Sequence, residues 1–273
     1  MAILYITKKI GISRMIKEDI APFLKNALKV KSTFNYFWHL PKNWFEPPNY
    51  RRGGWSGVIT HQLPQTATSD AQSLFVKLQS KSVFKTIKRP FRGLPTFYRE
   101  YVNTQRAKAA GVSVLEFVYY GQRDLNAILV SKSLEGYLEF NKALLLCSDD
   151  PVIKKKLVNL LADNLIKIHG AYISHGALNQ KHILVKFSNT SIIDLCIIDF
   201  EKSRKIFRNR GIVIDLHLLF KTTDLNEDDK NFIFSQYSVL FTEKKILTLK
   251  KQVAQRTARK EIRHQKKYAN NVL

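Results

Sequence analysis

The chain has 273 residues, 45% of them hydrophobic, which is enough to bury the core of one large domain or of two small lobes. Its 45 Lys and Arg residues against 22 Asp and Glu residues give a net charge of +23, which favours anionic partners such as nucleic acid, phosphorylated sugars or an acidic membrane face. Cys147 and Cys196 are too few for a disulfide framework or a thiolate metal site, so we expect reduced thiols in the core of a cytosolic protein. We expect no membrane span and no secretory signal, because Lys8 and Lys9 interrupt the first apolar run.

The positive charge is concentrated in two stretches. Eight basic residues lie between residues 81 and 108 with only Glu100 as an acid, and ten lie between residues 244 and 273 with only Glu261. Each stretch is either a solvated helix face or a surface that binds an anion.

The first half of the chain predicts strands around one main helix. In chain order we expect a basic amphipathic helix at residues 13–31 and an irregular aromatic and proline-rich cover at 34–50. An alternating strand at 73–80, a helix at 95–111 and two strands at 112–121 and 126–137 follow.

The second half is mostly helical around a short hairpin. We expect a long helix at residues 149–170 and two strands at 182–187 and 194–200. Two apolar helices at 211–221 and 227–241 and a final basic helix at 243–270 follow. Asp149 or Asp150 caps the first of these helices, and Pro151 lies in its first turn. The order predicts an α+β chain with a small sheet lobe and a helical lobe that meet near residues 133–137.

A lysine and a glutamate in the first half are candidates for binding phosphate. Lys77 lies in the middle of an apolar strand, and Glu100 follows 23 residues later in the predicted helix. A lysine on a strand paired with a glutamate on the next helix is the arrangement by which protein kinases bind nucleotide phosphates. The alternative is an edge-strand lysine and a surface glutamate with no common role.

Three glycines precede that strand. Gly53, Gly54 and Gly57 would let backbone amides approach a phosphate closely. They do not form the G-x-G-x-x-G pattern, and paired glycines are also common in plain turns.

The second half contains a more specific pattern. His175-Gly176 follows the end of the long helix, and His182 lies five residues after Ala177, the spacing from Asp to Asn in the catalytic loop of protein kinases. Asp199 ends an apolar strand 22 residues after Ala177, where kinases place the magnesium-binding aspartate. Asp215 lies within an apolar helix, so its burial requires hydrogen-bond donors.

This set of motifs resembles the lipopolysaccharide kinase (Kdo/WaaP) family, and most closely its InaA-like branch. The motifs, in order, are GGWSGV, FVKLQS, PTFYREYVNTQRAKAAGVSV, LEGY, HGALNQKHILV, IIDFEKSR and IDLHLLF, and they cover residues 50 to 240. The resemblance implies a bilobal protein-kinase-like fold, with a β-rich N-lobe at residues 51–135 and a mostly helical C-lobe at 136–242. Residues 1–50 would form an N-terminal helix and cover, and residues 243–273 a basic C-terminal helix.

The resemblance also implies a function. It implies phosphorylation of heptose or Kdo in the inner core of lipopolysaccharide by ATP and Mg²⁺, on the cytoplasmic side of the inner membrane of a Gram-negative bacterium. Lys77 would bind the nucleotide phosphates, with Glu100 as its partner. Asp199 would hold the metal, and His182 takes the place of asparagine as it does in the lipopolysaccharide kinases. Asp215 would hold the backbone of the catalytic loop.

Ala177 departs from the family pattern, because active members have aspartate there. An alanine cannot accept a proton or orient a hydroxyl, so the chain is either a slow kinase or a pseudokinase-like binding or regulatory protein. Glu201 is a possible substitute base, because it would lie on the same side of an extended chain as Asp199. Imidazole is a poor magnesium ligand, so His182 either binds the metal weakly or hydrogen-bonds a phosphate or the loop. His175 belongs to the turn and is expected to be structural.

The two basic stretches leave the partner open. The resemblance favours the core of lipopolysaccharide or another anionic glycolipid, and the last helix suits peripheral attachment to an anionic membrane. The apolar set that this helix offers to a membrane surface is modest, so attachment would be largely electrostatic; its members are Ile246, Leu249, Val253 and Ile262. Nucleic acid is the least favoured partner, because the sequence contains no known nucleic-acid-binding module.

Overall fold

The computed structural model describes residues 16–51, 53–63, 72–86, 89–188, 191–206 and 209–269. They belong to two compact units: one runs to Arg106 and resumes at Leu115–Glu135, and the other comprises Ala107–Val114 and the chain from Gly136 onward. The chain is therefore α+β, with most of the strand residues in the N-terminal unit.

The N-terminal unit is built on a six-stranded antiparallel sheet with the strand order β1-β7-β8-β4-β3-β2. Its strands are β1 (Glu18–Ile20), β2 (Trp44–Arg51), β3 (Gly54–Leu63), β4 (Gln72–Ser80), β7 (Phe117–Arg123) and β8 (Asn126–Lys132). A hairpin of β5 (Val83–Thr86) and β6 (Arg89–Pro95) leads into the helix α3 (Thr96–Ala109). The predicted alternation in β4 is confirmed, because Leu74, Val76 and Leu78 are all buried.

The single helix predicted over residues 13–31 is wrong. The described part of that segment forms β1 and then the short helix α1 (Pro22–Leu28). Pro22 explains the break, since proline starts a helix but cannot lie inside one, and it pushes the preceding residue into an extended conformation. Ala21 has that conformation, with φ −62° and ψ 138°.

The irregular cover predicted over residues 34–50 is also wrong. Ser32 caps a second short helix, α2 (Thr33–Trp38), by accepting a hydrogen bond from the Asn35 amide at 3.2 Å. Pro47 and Pro48, two of the three prolines that suggested an irregular segment, lie in β2, which pairs with β3 through two irregularities of register. The sheet ends at β2, and an edge strand tolerates proline.

The C-terminal unit packs five helices around two small sheets in the described part of the chain. The helices are α4 (Phe140–Leu146), α5 (Pro151–Gly170), α6 (Arg210–Thr222), α7 (Glu227–Gln236) and α8 (Glu243–Ala269). The strands are β9 (Tyr137–Glu139), β10 (Ile173–Ser174), β11 (Ile183–Ser188), β12 (Ser191–Ile197) and β13 (Arg204–Lys205), arranged as β12-β11-β9 and β10-β13. The apolar face of α5 lies in the core, where Leu157, Leu161 and Leu165 are completely buried.

The last helix, α8, is only partly a surface element. Ile246, Leu249 and Val253, in its first half, are buried in the core of the C-terminal unit, while Ile262 is 52% exposed. The sequence had suggested all four as an apolar set for contact with a membrane surface, and three of them are used to pack the helix against its own unit. None of the helices in the described ranges is long and apolar enough to span a bilayer.

Candidate functional site

Lys77 and Glu100 form an ion pair in the N-terminal unit. The Lys77 Nζ atom lies 2.6 Å from Glu100 Oε1, and the Glu100 side chain is only 2% exposed. Lys77 lies in β4, between Val58 of β3 and Leu129 of β8, so it is in the interior of the sheet and not on an edge. The alternative of an edge lysine and a surface glutamate is therefore wrong.

The pair fixes the position of the lysine. A buried carboxylate is costly unless a cation or hydrogen bonds compensate it, so Glu100 holds the Lys77 ammonium in place. The Lys77 side chain is itself 26% exposed, so the lysine is not fully buried. It remains the candidate for binding nucleotide phosphates.

The three glycines lie in and beside the turn between β2 and β3. Gly53 has φ +76°, and a Cβ there would meet nothing within 4 Å. A Cβ on Gly54 would lie 2.5 Å from the Lys81 carbonyl carbon, and one on Gly57 would lie 2.6 Å from the Trp44 ring. Close packing thus explains Gly54 and Gly57 without a ligand, and the phosphate-binding role of the loop stays a prediction.

Asp215 of α6 organises the turn that follows β10. It is completely buried, and its two oxygens accept hydrogen bonds from the His175 and Gly176 amides, each at 2.7 Å. Gly176 has φ +77°, and a Cβ there would lie 2.6 Å from the Lys202 carbonyl oxygen, so only glycine fits. The expected donors to the Asp215 carboxylate are therefore present.

Two further residues, not identified from the sequence, belong to this network. The His169 Nε2 atom lies 3.2 Å from Asp215 Oδ2, and its Nδ1 atom lies 2.5 Å from the Tyr237 hydroxyl. Burial raises the pKa of Tyr237 well above its usual value, so its hydroxyl keeps its proton, and the ring of His169 connects this hydroxyl to the Asp215 carboxylate. Tyr237 lies 68 residues from His169, and no local pattern connects them.

His175 is held as a neutral ring. It is completely buried, its Nε2–H donates to the Ile198 carbonyl at 2.9 Å, and its Nδ1 atom accepts from the Ala177 amide at 3.3 Å. Burial lowers the pKa of His175, which agrees with this single protonation. The ring thereby connects the Ala177 turn to the end of β12.

Ala177, His182 and Asp199 are linked in the same unit. The Ala177 carbonyl oxygen lies 2.8 Å from His182 Nδ1 and also accepts from Asn179 Nδ2 at 3.2 Å. The other ring nitrogen, His182 Nε2, lies 3.2 Å from Asp199 Oδ2. His182 therefore connects the Ala177 carbonyl to the Asp199 carboxylate.

Asp199 has an unusual backbone. Its φ of 63° and ψ of 60° lie in the left-handed region, which is uncommon outside glycine and frequent at functional sites. This conformation starts a short 3-10 turn at Phe200–Lys202 and leaves the Asp199 side chain 32% exposed. The extended chain expected from Asp199 to Glu201 is therefore wrong: Glu201 lies in the turn, partly exposed, and alternation no longer predicts where its side chain points.

One carboxylate is available for a divalent cation. Over the described ranges, no group of three His, Cys, Asp or Glu residues could hold a metal ion by itself. Magnesium in kinases needs only one or two carboxylates, with phosphates and waters as its other ligands. The partly exposed Asp199 fits that requirement, and His182, whose two ring nitrogens face Ala177 and Asp199, is better placed to orient the carboxylate than to bind the metal.

The family follows from comparison with known proteins. A model of the lipopolysaccharide kinase (Kdo/WaaP) family matches residues 35–237, and the chain belongs to this family, as its motifs predicted. Protein InaA of Escherichia coli (strain K12) is 29% identical over 198 residues, which cover 69% of this chain and 87% of that protein. Membership of this family suggests a phosphotransferase of the kinase type.

Proposed function

We propose that the chain is an ATP-dependent phosphotransferase with a protein-kinase-like fold, and that it phosphorylates heptose or Kdo in the inner core of lipopolysaccharide. The observation that carries this proposal is the Lys77–Glu100 pair, in which a buried carboxylate holds a partly exposed lysine in the interior of a sheet. Family membership and the turn held by Asp215 support it independently.

Each residue has a distinct task in this proposal. Lys77 binds the nucleotide phosphates, and Glu100 keeps its ammonium in position. Asp199 is the residue that would hold Mg²⁺, with its carboxylate oriented by His182. Asp215 holds the His175-Gly176 turn. The bound metal–nucleotide supplies the phosphoryl group and neutralises its charge as it is transferred.

Ala177 determines how fast such an enzyme can be. Phosphoryl transfer depends mainly on positioning and electrostatics, so a missing base does not abolish it. The loss of one general acid–base group costs about 10²–10⁴-fold in rate. We therefore propose a slow kinase, with Glu201 as a candidate for a replacement base.

A second candidate function is a binding protein without chemistry. Two observations favour it: a methyl group replaces the carboxylate at Ala177, and His182 engages Asp199 at 3.2 Å. In this case the chain would bind nucleotide or glycolipid and act as a pseudokinase-like regulator.

Transfer of the γ-phosphate from labelled ATP to purified core lipopolysaccharide, with Mg²⁺ or Mn²⁺, distinguishes the two. A slow kinase transfers phosphate as wild type, loses transfer in Lys77→Met and gains rate in Ala177→Asp. A binding protein shows no transfer as wild type but is stabilised by nucleotide or by core lipopolysaccharide. If no variant transfers phosphate and neither ligand stabilises the fold, both candidates are wrong.

We also propose that the protein lies on the cytoplasmic face of the inner membrane through α8. Lys244 and Lys251 are exposed and lie seven residues apart, on one side of this helix. Attachment would be mainly electrostatic, because the apolar residues of α8 are largely buried in the C-terminal unit. Cosedimentation with vesicles of phosphatidylglycerol and phosphatidylcholine should weaken in Lys244→Gln/Lys251→Gln.

A further inference from the structure

A basic groove lies between the start of α6 and the second half of α8, within the C-terminal unit. Its volume is about 760 Å³, in the range of small-molecule sites. Among the residues that the structure describes, no acidic side chain lines it and five cationic ones do, namely Arg210, Arg256, Arg259, Lys260 and Arg263.

The cations on α8 occupy one side of the helix. Arg256, Arg259, Lys260 and Arg263 have the spacing i, i+3, i+4, i+7, which places them on a common face. In the first half of α8 the side facing the unit is apolar, because Leu249 and Val253 are buried there. The face lining the groove is instead cationic from Arg256 onward, where a purely structural helix would continue with apolar residues.

The positive charge of the groove is not compensated within the described part of the chain. None of its five cations forms an ion pair with a carboxylate of residues 16–269 that the structure describes. The Nε atom of Arg256 is buried and has no hydrogen-bond partner there. A buried guanidinium donor without an acceptor is costly, so an acceptor that enters the groove beside Arg256 is favoured.

The start of α6 adds to the positive field. A helix N-terminus favours acidic residues, but the first turn of α6 has none, and Arg210 is its first residue. The preceding Asn209 does not cap the helix with its side chain. The first turn of α6 therefore places no acidic side chain against the groove, and Arg210 adds a positive one.

A buried histidine beside the groove reports this field. The pKa of His217, which lies 2.9 Å from the Thr257 hydroxyl, is lowered mainly by burial and then by Arg256, Lys221 and Lys260, while Glu261 opposes the shift. The cations thus outweigh the exposed acid nearest to this ring.

We propose that this groove binds the phosphate groups carried by the saccharide of the glycolipid acceptor. The inference rests on the proposed function for the identity of the ligand. Four of the five cations are arginines, whose planar guanidinium groups bind phosphate oxygens in pairs. A groove of this volume accommodates a phosphorylated sugar but not a folded protein partner.

The groove is also coupled to the candidate catalytic turn. Both are built on α6, because Arg210 and Val213 line the groove and Asp215 accepts from the His175 and Gly176 amides. A Cβ on Gly211 would lie 2.9 Å from the Ser174 side chain, so the first turn of α6 packs directly against the strand preceding that turn. A phosphate bound here would hold the acceptor on the side of the unit that carries Ala177.

The test measures binding to core oligosaccharide from which the fatty acids have been removed, so that no membrane takes part. The full chain is titrated at about 0.15 M salt, where long-range charge effects are screened. The ligand is used with its phosphates intact and after their removal with hydrofluoric acid. Arg259→Gln/Arg263→Gln, which changes two exposed groove residues, is compared with Lys244→Gln/Lys251→Gln, which removes the same charge outside the groove.

We expect the phosphorylated oligosaccharide to bind about tenfold or more weakly to Arg259→Gln/Arg263→Gln, since each lost bond to a charged group is substantial. Removing the phosphates should weaken binding to wild type similarly, and Lys244→Gln/Lys251→Gln should bind as wild type does. The proposal is overturned if both double variants lose binding equally, or if removing the phosphates has no effect. It is also overturned if the groove binds RNA or anionic vesicles in preference to the oligosaccharide. Binding without phosphate transfer from ATP would instead reject the kinase and leave the groove intact.

Discussion

The carboxylate of Asp215 should be one of the largest single contributors to the stability of the C-terminal unit. It is completely buried and accepts three hydrogen bonds, from the His175 and Gly176 amides and from His169 Nε2. Asp215→Asn keeps the shape of the side chain but replaces one acceptor oxygen with a donor. Whichever way the amide lies, at least one of these donors then faces an NH₂ group.

The magnitude follows from these contacts. If the amide oxygen takes the place of Oδ2, the His175 and His169 bonds survive as neutral bonds and the Gly176 amide loses its acceptor. An unsatisfied buried donor costs about 1–3 kcal/mol, and a charged bond that becomes neutral loses about 1 kcal/mol. With one unsatisfied donor and two bonds that become neutral, we expect Asp215→Asn to lower the free energy of unfolding by about 3–5 kcal/mol.

Urea denaturation followed by circular dichroism measures this loss, with Asp163→Asn as the matched control. Asp163 forms an exposed i,i+4 pair with Lys167 at 2.6 Å, and its side chain is 54% exposed. Its replacement should cost about 0.5 kcal/mol or less. If Asp215→Asn is no more destabilising than Asp163→Asn, the carboxylate does not hold the turn as argued here.

Three other predictions concern packing and pH. Gly54→Ala should destabilise the N-terminal unit by about 1–3 kcal/mol, because its Cβ would lie 2.5 Å from a backbone atom. Gly53→Ala meets no atoms within 4 Å, so it costs only the strain of its positive φ, about 1–2 kcal/mol. Urea midpoints that rank the two variants in reverse would contradict this. Leu249→Ala should lower the free energy of unfolding by about 2–5 kcal/mol, because Leu249 is completely buried in the core. Leu247→Ala, at 59% exposure, should change the urea midpoint little. Equal effects would mean that α8 does not pack as described. Burial lowers the pKa of His175 from 6.5, so the unfolded state binds the proton of this ring more readily than the folded state does. Stability should therefore be full above about pH 6.5 and fall below it. A series of urea midpoints from pH 8 to 5 should be flatter in His175→Gln, and an unchanged slope would contradict the assignment of His175 as a buried neutral ring.

Much of the fold was predictable because local patterns determined it. The alternating apolar residues of β4 and the face of α5 with Leu157, Leu161 and Leu165 were visible as periods of two and of 3.6 residues. Asp150 and Pro151 marked the start of α5, and Asp150 accepts from the amides of residues 152 and 153. The N-terminal segment was mispredicted because its helical composition outweighed Pro22, and because prolines at a sheet edge resemble an irregular loop.

Part of the candidate site was also predictable. Lys77 and Glu100 were found from one lysine in an apolar strand and one acid in a basic stretch, and they lie 2.6 Å apart. Asp215 was found because an acid inside an apolar helix requires donors. His169 and Tyr237 were missed, since their contact joins residues 68 positions apart and neither breaks a local pattern.

Periodicity, capping residues and motif spacing are properties of the linear chain, so the types of element, the family and the candidate residues for binding phosphate could be predicted from them. The folded chain was needed to show which donors reach Asp215, how His182 connects the Ala177 carbonyl to Asp199, and that four cations of α8 line a groove against α6. These are contacts between segments distant in sequence, and they depend on how buried faces pack. For the same reason Ile246, Leu249 and Val253 looked like a surface stripe in the sequence and belong to the core in the folded unit.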